Sequence, residues 1–512
     1  MRDDFTGGWD DVVVGAGSAG AVLAARLTER ADRRVLLIEA GVERLGEPEA
    51  SAPLGTAVLS GYNWDYTAHV GAAARGRRAP YSVGRLLGGS SAVNGAIALR
   101  GLPEDFDRWA AAGHDVWAWR EVLPYFRALE ADADFKGPEH GTDGPVPVRR
   151  PGPGEFDPVA TAFLDACRAR GLPEVDDMNA GSGAGAGPLP SNARDGRRVS
   201  TADAYLTPVL GRPNLTVWTR ATVRRVLFAG SRATGVEVLR DGAIEGVRAD
   251  RVTLCAGGVN SPLVLERSGV GDARRLAALG IPAVADLPGV GEGLADHAAI
   301  MVWARPRPGV CRRGLPRHQV MARLADGADC PDLGLFLASN VSDDTIPEVG
   351  AVMAERLAVA VSAMLLDARS RGSVHVRGPD PDDAPVITLG LGSAPADVAR
   401  LAEGVRAVAE LLSSQAMSGV LAEVLLWTES VVSDESRLRR AVGRFVTPLG
   451  HASGTVRMGI DGDDLAVVDQ YGRVRGLENL RVADASVMPA PLRATPNLSC
   501  IMLAERVAAW MA

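Results

Sequence analysis

The sequence predicts a mixed α/β chain in which two structural units are interleaved. Three observations carry that prediction. The β-branched run Asp11-Val12-Val13-Val14 leads directly into Gly15-Ala16-Gly17-Ser18-Ala19-Gly20 and then into the helix-patterned AVLAARLTER. A second apolar run, Val35-Leu36-Leu37-Ile38, ends on Glu39-Ala40-Gly41. The length, 512 residues, exceeds the roughly 100–200 residues of one domain, and α/β chains often carry a second unit as insertions.

The first two observations together read as strand, glycine turn, helix, strand, a Rossmann-like start. The first glycine permits the tight turn, the second lets a pyrophosphate approach the backbone, and the third lets helix and strand pack closely. The pyrophosphate then meets free N–H groups at a helix N-terminus, whose dipole favours negative charge. Glu39 is placed to accept hydrogen bonds from an adenosine ribose, which argues against a 2′-phosphate and leaves FAD or NAD. The plain alternative for such glycines is a tight strand-to-helix turn, but a strand on each side and an acid closing the second favour the dinucleotide.

Composition narrows the class. With 46% hydrophobic and 23% charged residues the chain can bury a large core and is not a disordered or collagen-like protein. A net charge of −8 opposes a phosphate-tracking surface, so no nucleic-acid partner is expected. Cys167, Cys255, Cys311, Cys330 and Cys500 lie far apart with no C-x-x-C spacing, which indicates neither a metal site nor a disulfide framework. The opening MRDDFTGGWD has no apolar h-region, and no 18-residue apolar run free of charge occurs; a cytoplasmic chain without a membrane span is expected.

Further along stand Gly84-Arg85-Leu86-Leu87-Gly88-Gly89-Ser90-Ser91-Ala92-Val93-Asn94-Gly95-Ala96, Ala221-Thr222-Val223, Cys255-Ala256-Gly257-Gly258, Gly293-Leu294-Ala295-Asp296-His297 and Arg481-Val482-Ala483-Asp484-Ala485. With the amino-terminal motif, these blocks resemble the glucose–methanol–choline (GMC) oxidoreductases, flavoenzymes that oxidise alcohols. The resemblance spans residues 10 to 510, with a poorly matched stretch from about 300 to 365. It implies FAD, with Gly15, Gly17, Ser18, Ala19, Gly20, Glu39 and Ala40 at its adenosine diphosphate end. Gly88, Gly89, Ser90, Asn94, Gly95 and Ala96 would lie along the pyrophosphate and flavin, and Val223 would hold the adenine by its backbone. Ala256, Gly257, Asp484, Ala485, Pro496 and Asn497 complete the implied cofactor set. Some relatives tether FAD through a histidine just before the flavin-loop asparagine; that position is Val93 here, so FAD is expected to be noncovalent. The implied organisation is an FAD-binding domain over 8–144, 196–296 and 446–512, and a discontinuous substrate domain over 145–195 and 297–445, built on a mostly antiparallel sheet.

Oxidising an alcohol requires a base for the hydroxyl proton and an acceptor for the hydride. His451, in His451-Ala452-Ser453-Gly454-Thr455-Val456-Arg457-Met458-Gly459, resembles the family's active-site histidine and is the expected base, with flavin N5 as acceptor. Imidazole is largely neutral at pH 7 and so accepts a proton. His297 reads as structural, and His69, His114, His140, His318 and His375 as solvated or packed. Relatives place a second His or Asn before the final helix. That position is Thr495 here, whose hydroxyl can orient a substrate but not take its proton; a two-residue shift would instead bring Asn497, which otherwise reads as the helix N-cap. The final helix, about Leu498 to Met511, shows one apolar face.

In the substrate unit, residues 181–188 read as loop, Ala396 to Leu412 as an outer helix, and Asp343, Asp344 and Glu348 as a solvated loop. Trp64, Tyr66 and Trp427 can each supply one ring. The expected activity is oxidation of a small or medium primary alcohol to the aldehyde, by a dehydrogenase or an oxidase. Oxygen, a quinone and a redox carrier remain open as electron acceptor. Alternatives are an FAD-containing lyase or other non-redox member that uses His451 as acid/base, and a flavin-binding protein without catalysis.

Overall fold

Val12, Val13 and Val14 are fully or almost fully buried because β1 (Phe5–Val14) runs through the middle of a seven-stranded sheet. A computed structural model describes residues 5–44, 61–71, 76–181, 183–325, 327, 330–343, 349, 351, 353 and 356–512. β1 pairs in parallel with β2 (Val35–Ile38) on one side and with Ala243–Leu254 on the other. Leu215–Trp218 extends the sheet beyond β2, and Leu480–Val482 joins Ala243–Leu254, both in parallel. Arg232–Arg240 and Ala221–Ala229 add an antiparallel edge. Helix α1 (Gly20–Leu27) begins at the carboxyl end of β1, as a strand–turn–helix crossover requires.

A second seven-stranded sheet is antiparallel throughout. Its order is Leu421–Val424, Ala298–Pro306, Leu357–Leu365, Leu333–Ser342, Val320–Leu324 and Gly185–Pro188, with Thr447–Pro448 also on Ala298–Pro306. Leu357–Leu365 and Leu333–Ser342 are buried at every position, so both faces are covered. The helix Pro395–Leu412 packs against this sheet. The fold is therefore the α/β class read from the sequence, with two sheets each organising its own core.

Several local readings change. Gly185–Pro188 is an edge strand rather than loop, paired with Val320–Leu324; a Cβ at Gly187 would sit 1.8 Å from the Val175 carbonyl oxygen, so the neighbouring chain demands glycine there. Asp343 is not solvated but is held by Arg313 and Arg356; Asp344 and Glu348 lie outside the described residues. The final helix (Asn497–Met511) is buried on all sides rather than along one face, and even Glu505 and Arg506 are buried. Glu505 accepts bonds from Arg26 (2.7 and 2.9 Å) and Tyr205 (2.7 Å), and Arg33 donates to the Met511 carbonyl at 2.6 Å. These contacts tie the helix to α1, to Arg33 just ahead of β2 and to Tyr205.

His140 and His375 are ion-paired, not solvated. His375 lies between Glu266 (2.8 Å) and Glu292 (3.1 Å). His140 contacts Asp177 (2.8 Å), Asp132 (3.2 Å) and Glu130 (3.2 Å), while Arg150 pairs with Asp132 and Asp177 and Arg100 with Glu130. Three carboxylates thus surround the imidazole, and Arg100 and Arg150 add two guanidinium groups, with Asp134 a further carboxylate 3.7 Å from Arg150. Asp132, then Asp177 and Glu130, push His140 up to about 11. The cluster braces the segment from Ala98 to Arg100 through Asn179, which accepts from Arg100 N (3.0 Å) and donates to Ala98 O (2.8 Å).

His140→Ala is expected to cost about 3–5 kcal/mol of stability, because it leaves buried carboxylates short of a cation. The imidazolium's contribution is complete below the ordinary histidine value and is lost as pH rises towards 11. Thermal unfolding of both proteins between pH 7 and 11 checks this: the wild-type Tm should fall towards that of the variant as pH rises.

Candidate active site

A cavity of about 680 Å³ runs between the two sheets, from Glu39 and Val223 at one end to His451 and Thr495 at the other. Its first wall is the glycine turn. A Cβ on Gly20 would lie 1.8 Å from the Gly15 carbonyl oxygen, and one on Gly89 would lie 2.7 Å from the Gly17 Cα, so the turn and the Gly88-Gly89 segment meet backbone to backbone. Glu39 accepts from Ala16 N (2.9 Å) and Gly41 N (2.8 Å), and burial pushes its carboxyl up to about 7.

Of the residues that the sequence assigns to the cofactor, Gly15, Gly17, Ser18, Ala19, Glu39 and Ala40 line the cavity at one end. Gly89, Ser90, Asn94, Gly95, Val223, Ala256 and Gly257 line its length, as do Asp484, Ala485, Pro496 and Asn497. Gly20, Gly88 and Ala96 are not among the lining residues; Gly20 instead supports the turn from behind. These surroundings fit an FAD. The Gly257 Cβ position has no atom within 4 Å, so the start of the helix Gly257–Arg267 opens onto the cavity. Asp484 accepts from Gly257 N (2.8 Å), Ser261 Oγ (2.6 Å), Ser486 N (2.8 Å) and Ser486 Oγ (2.5 Å). Four donors saturate its carboxylate, so its backbone is what remains to offer a ligand.

Trp64 and Tyr66 line the cavity as a stacked pair, with ring centroids 5.8 Å apart. Trp427 lies behind the wall instead, its indole donating to the Met301 carbonyl at 3.3 Å.

The far end is built on one joint. Ala295 and Ser453 exchange two backbone hydrogen bonds (2.9 and 3.0 Å). The carboxylate of Asp296 accepts from His451 N (2.9 Å), Gly450 N (3.2 Å) and the Tyr81 hydroxyl (2.8 Å). Burial pushes Asp296 up to about 6 despite these donors. The joint sets His297 against His451, Nδ1 to Nδ1 at 2.8 Å, while His297 Nε2 lies 2.9 Å from the Leu492 carbonyl. A carbonyl only accepts, so His297 carries its hydrogen on Nε2 and accepts at Nδ1. His451 therefore donates from Nδ1, and its Nε2 keeps a lone pair for the cavity. Burial holds both imidazoles below the ordinary value, and His297 lowers His451 further.

Thr495 also lines the cavity, and its buried Oγ1 has no hydrogen-bond partner among the described residues. Asn497 is the first helical residue rather than the cap, which is Pro496. Its Oδ1 accepts from Ser18 Oγ at 2.7 Å, which ties the closing helix to the glycine turn.

Comparison with known proteins agrees with this geometry. The two GMC oxidoreductase family models match residues 9–299 and 368–504. The chain is a GMC oxidoreductase. As such it is an FAD-dependent enzyme acting on CH–OH donors. This GMC oxidoreductase is 38% identical to 5-(hydroxymethyl)furfural oxidase of Methylovorus sp. (strain MP688), over 98% of each chain. It is 36% identical to an oxygen-dependent choline dehydrogenase of Paraburkholderia phytofirmans, over 98% of this chain and 93% of that one. The crystal structure of pyridoxine 4-oxidase from Mesorbium loti matches with a TM-score of 0.90 and 34% identity, over 98% and 99% of the two chains. No helix among the described residues is long and apolar enough to cross a membrane.

Sequence reasoning took His297 as structural, yet it touches His451. The available signal was position: Asp296-His297 leads straight into the apolar strand Ala298–Pro306, where an imidazole needs partners. His318 was likewise read as solvated or packed, but it lines the cavity.

Asp296→Asn puts an NH₂ group among donors and disturbs the joint. A misplacement of about 1 Å costs on the order of 100-fold in rate. The variant is expected to retain FAD, read from its absorbance, and to lose about that factor in the rate at which substrate reduces the flavin.

Proposed function

We propose that this GMC oxidoreductase converts a small or medium, largely neutral primary alcohol to its aldehyde, with His451 as general base. The observation that carries the reading is the hydrogen-bonded chain Leu492–His297–His451, which leaves a neutral imidazole nitrogen facing the cavity. FAD, bound noncovalently because Val93 offers no tether, supplies the hydride acceptor. His451 Nε2 takes the hydroxyl proton, and His297 keeps the imidazole in the tautomer that can do so. Thr495, whose Oγ1 is unpartnered, orients the substrate oxygen. Glu39 accepts from the adenosine ribose, and the free N–H groups of the glycine turn face the pyrophosphate. The apolar walls, Met301, Phe336, Met364 and Leu449, suit an uncharged carbon skeleton. The relatives are named for 5-(hydroxymethyl)furfural, choline and pyridoxine, each an alcohol.

Anaerobic mixing with aliphatic, aromatic, sugar and amino alcohols tests the reading through bleaching of the yellow flavin band. Turnover of a compound without bleaching would overturn it in favour of lyase chemistry. His451→Ala should leave the protein yellow and slow reduction by about 10²–10⁴-fold, the usual worth of a positioned base.

The pH profile has a definite sign. A lowered histidine value keeps His451 neutral well below pH 6.5. The reduction rate is therefore expected to be flat from pH 6.5 to 9 and to fall only on the acid side of the ordinary histidine range; stopped-flow reduction across that series checks it.

A further inference from the structure

The Leu492 carbonyl that accepts from His297 belongs to a peptide unit whose other edge is also held. In the planar trans unit joining Leu492 to Arg493, the C=O points one way and the N–H the opposite way. The C=O meets His297 Nε2 at 2.9 Å, and the N–H of Arg493 donates to Asp105 Oδ2 at 2.7 Å. One hydrogen-bonded line therefore runs from the Asp105 carboxylate across the peptide to His297, and on from His297 Nδ1 to His451 Nδ1 at 2.8 Å.

Asp105 is set in place by its own helix. It lies in the first turn of the helix Pro103–Ala111 and accepts from Leu102 N, just ahead of that helix, at 3.1 Å. Its Oδ1 accepts from Arg493 Nη1 at 2.7 Å, so its two oxygens grip both the amide and the guanidinium of one residue. The side chain is fully buried, and each of these partners is a donor, so neither oxygen needs a hydrogen of its own.

Arg108, one turn further along the helix, holds the other side of Leu492. Its Nη2 donates to the Pro491 carbonyl at 2.8 Å, and its Nη1 lies 2.8 and 3.0 Å from the two oxygens of Asp367. Asp367 also accepts from Arg493 Nη2 at 2.8 Å. It follows Leu366, whose carbonyl, like that of Leu492, raises the proton affinity of His297. The backbone on both sides of Leu492 is thus fastened to one helix.

The tautomer of His297 decides what His451 can do. An amide bonded to a carboxylate polarises its peptide, which makes the carbonyl on the far edge a stronger acceptor and favours the hydrogen on His297 Nε2. The opposite tautomer would put that hydrogen on Nδ1 and oblige His451 to accept there. The hydrogen of His451 would then occupy Nε2, where a base needs its lone pair.

The geometry points to Asp105 as a positioning residue for the oxidation: through the Leu492–Arg493 peptide it keeps the hydrogen of His297 on Nε2 and so leaves His451 Nε2 free to accept, with Arg108 holding that peptide in place. Asp105 is not among the residues lining the cavity, so it acts only through this line. The proposal rests on the reading of His451 as the base and adds what keeps that base in its working tautomer.

The test is a double-mutant cycle on the anaerobic holoenzyme, using the fastest reductant among benzyl alcohol, ethanol, glucose and choline. Asp105→Asn should stay yellow, bind the alcohol within twofold of wild type, and lose about tenfold in the limiting rate of flavin reduction, a coupling typical of groups in one network. Arg108→Met, at a half-exposed side chain, should lose about threefold in the same rate. His297→Ala removes the link, so in that background either substitution should change the limiting rate by less than twofold. A helix cap or a plain structural brace would instead cost the same factor in both backgrounds, and that outcome overturns the proposal. So does weaker alcohol binding at an unchanged limiting rate, or no loss of rate in either variant. If Asp105→Asn does not fold, Arg108→Met carries the same cycle. His451→Ala separates the two readings: if it is reduced as fast as wild type, or if no alcohol bleaches the wild-type flavin, the base reading falls and this proposal with it. If His451→Ala is slow and the cycle is additive, only the role of Asp105 is overturned.

Discussion

The site depends on the carboxylate of Asp296. It collects two backbone amides from residues 450 and 451 and the hydroxyl of Tyr81, at the point where the strand Ala298–Pro306 begins. No other group could join those chains so economically: a carboxylate offers about four acceptor positions in a space too small for several neutral acceptors. Burying it is costly, as its raised proton affinity shows, and the three donors offset that cost. In return the two imidazoles meet at hydrogen-bond distance, His297 held by the Leu492 carbonyl and His451 by its backbone N–H on Asp296.

Buried charge is handled in two opposite ways. Around His140, three carboxylates hold an imidazole in its charged form, and opposite charges within about 3 Å outweigh desolvation. Around His451 no carboxylate among the described residues touches the ring, so desolvation wins and the ring stays neutral. The same residue type thus holds structure together in one place and offers a lone pair in the other. Which outcome prevails follows from what lies within hydrogen-bond reach of the ring.

Much of this was legible in the order of residues. A β-branched run followed by Gly-x-Gly-x-x-Gly and an acid after the second strand can hardly be anything but the start of a nucleotide fold, because each position answers a local steric demand. Thr495 and His451, which both line the cavity, were singled out by the family resemblance and not by any local rule. Local rules failed where partners come from far along the chain. His297 and His451 are 154 positions apart, and the pairing of Met301 and Phe336 with Ser362 joins three strands whose register no local pattern reveals. The final helix was misjudged for a related reason: a one-faced apolar stripe is what an isolated helix shows, whereas Glu505 and Arg506 are buried where the distant Tyr205 hydroxyl donates to Glu505 and the Glu121 carbonyl accepts from Arg506. Asn497 looked like a cap because asparagine often is one; its oxygen instead goes to Ser18, 479 positions away.

The first sheet has one consequence for how the enzyme comes into being. Its strands are contributed by residues 5–14, 35–38, 215–218, 221–254 and 480–482. A ribosome making this polypeptide therefore emits the opening βα unit hundreds of residues before the strand that flanks Ala243–Leu254. Pairings so distant in sequence form slowly. The cofactor pocket must consequently mature after residues 480–482 have been made, and flavin supply during that interval becomes a determinant of how much polypeptide reaches its native state.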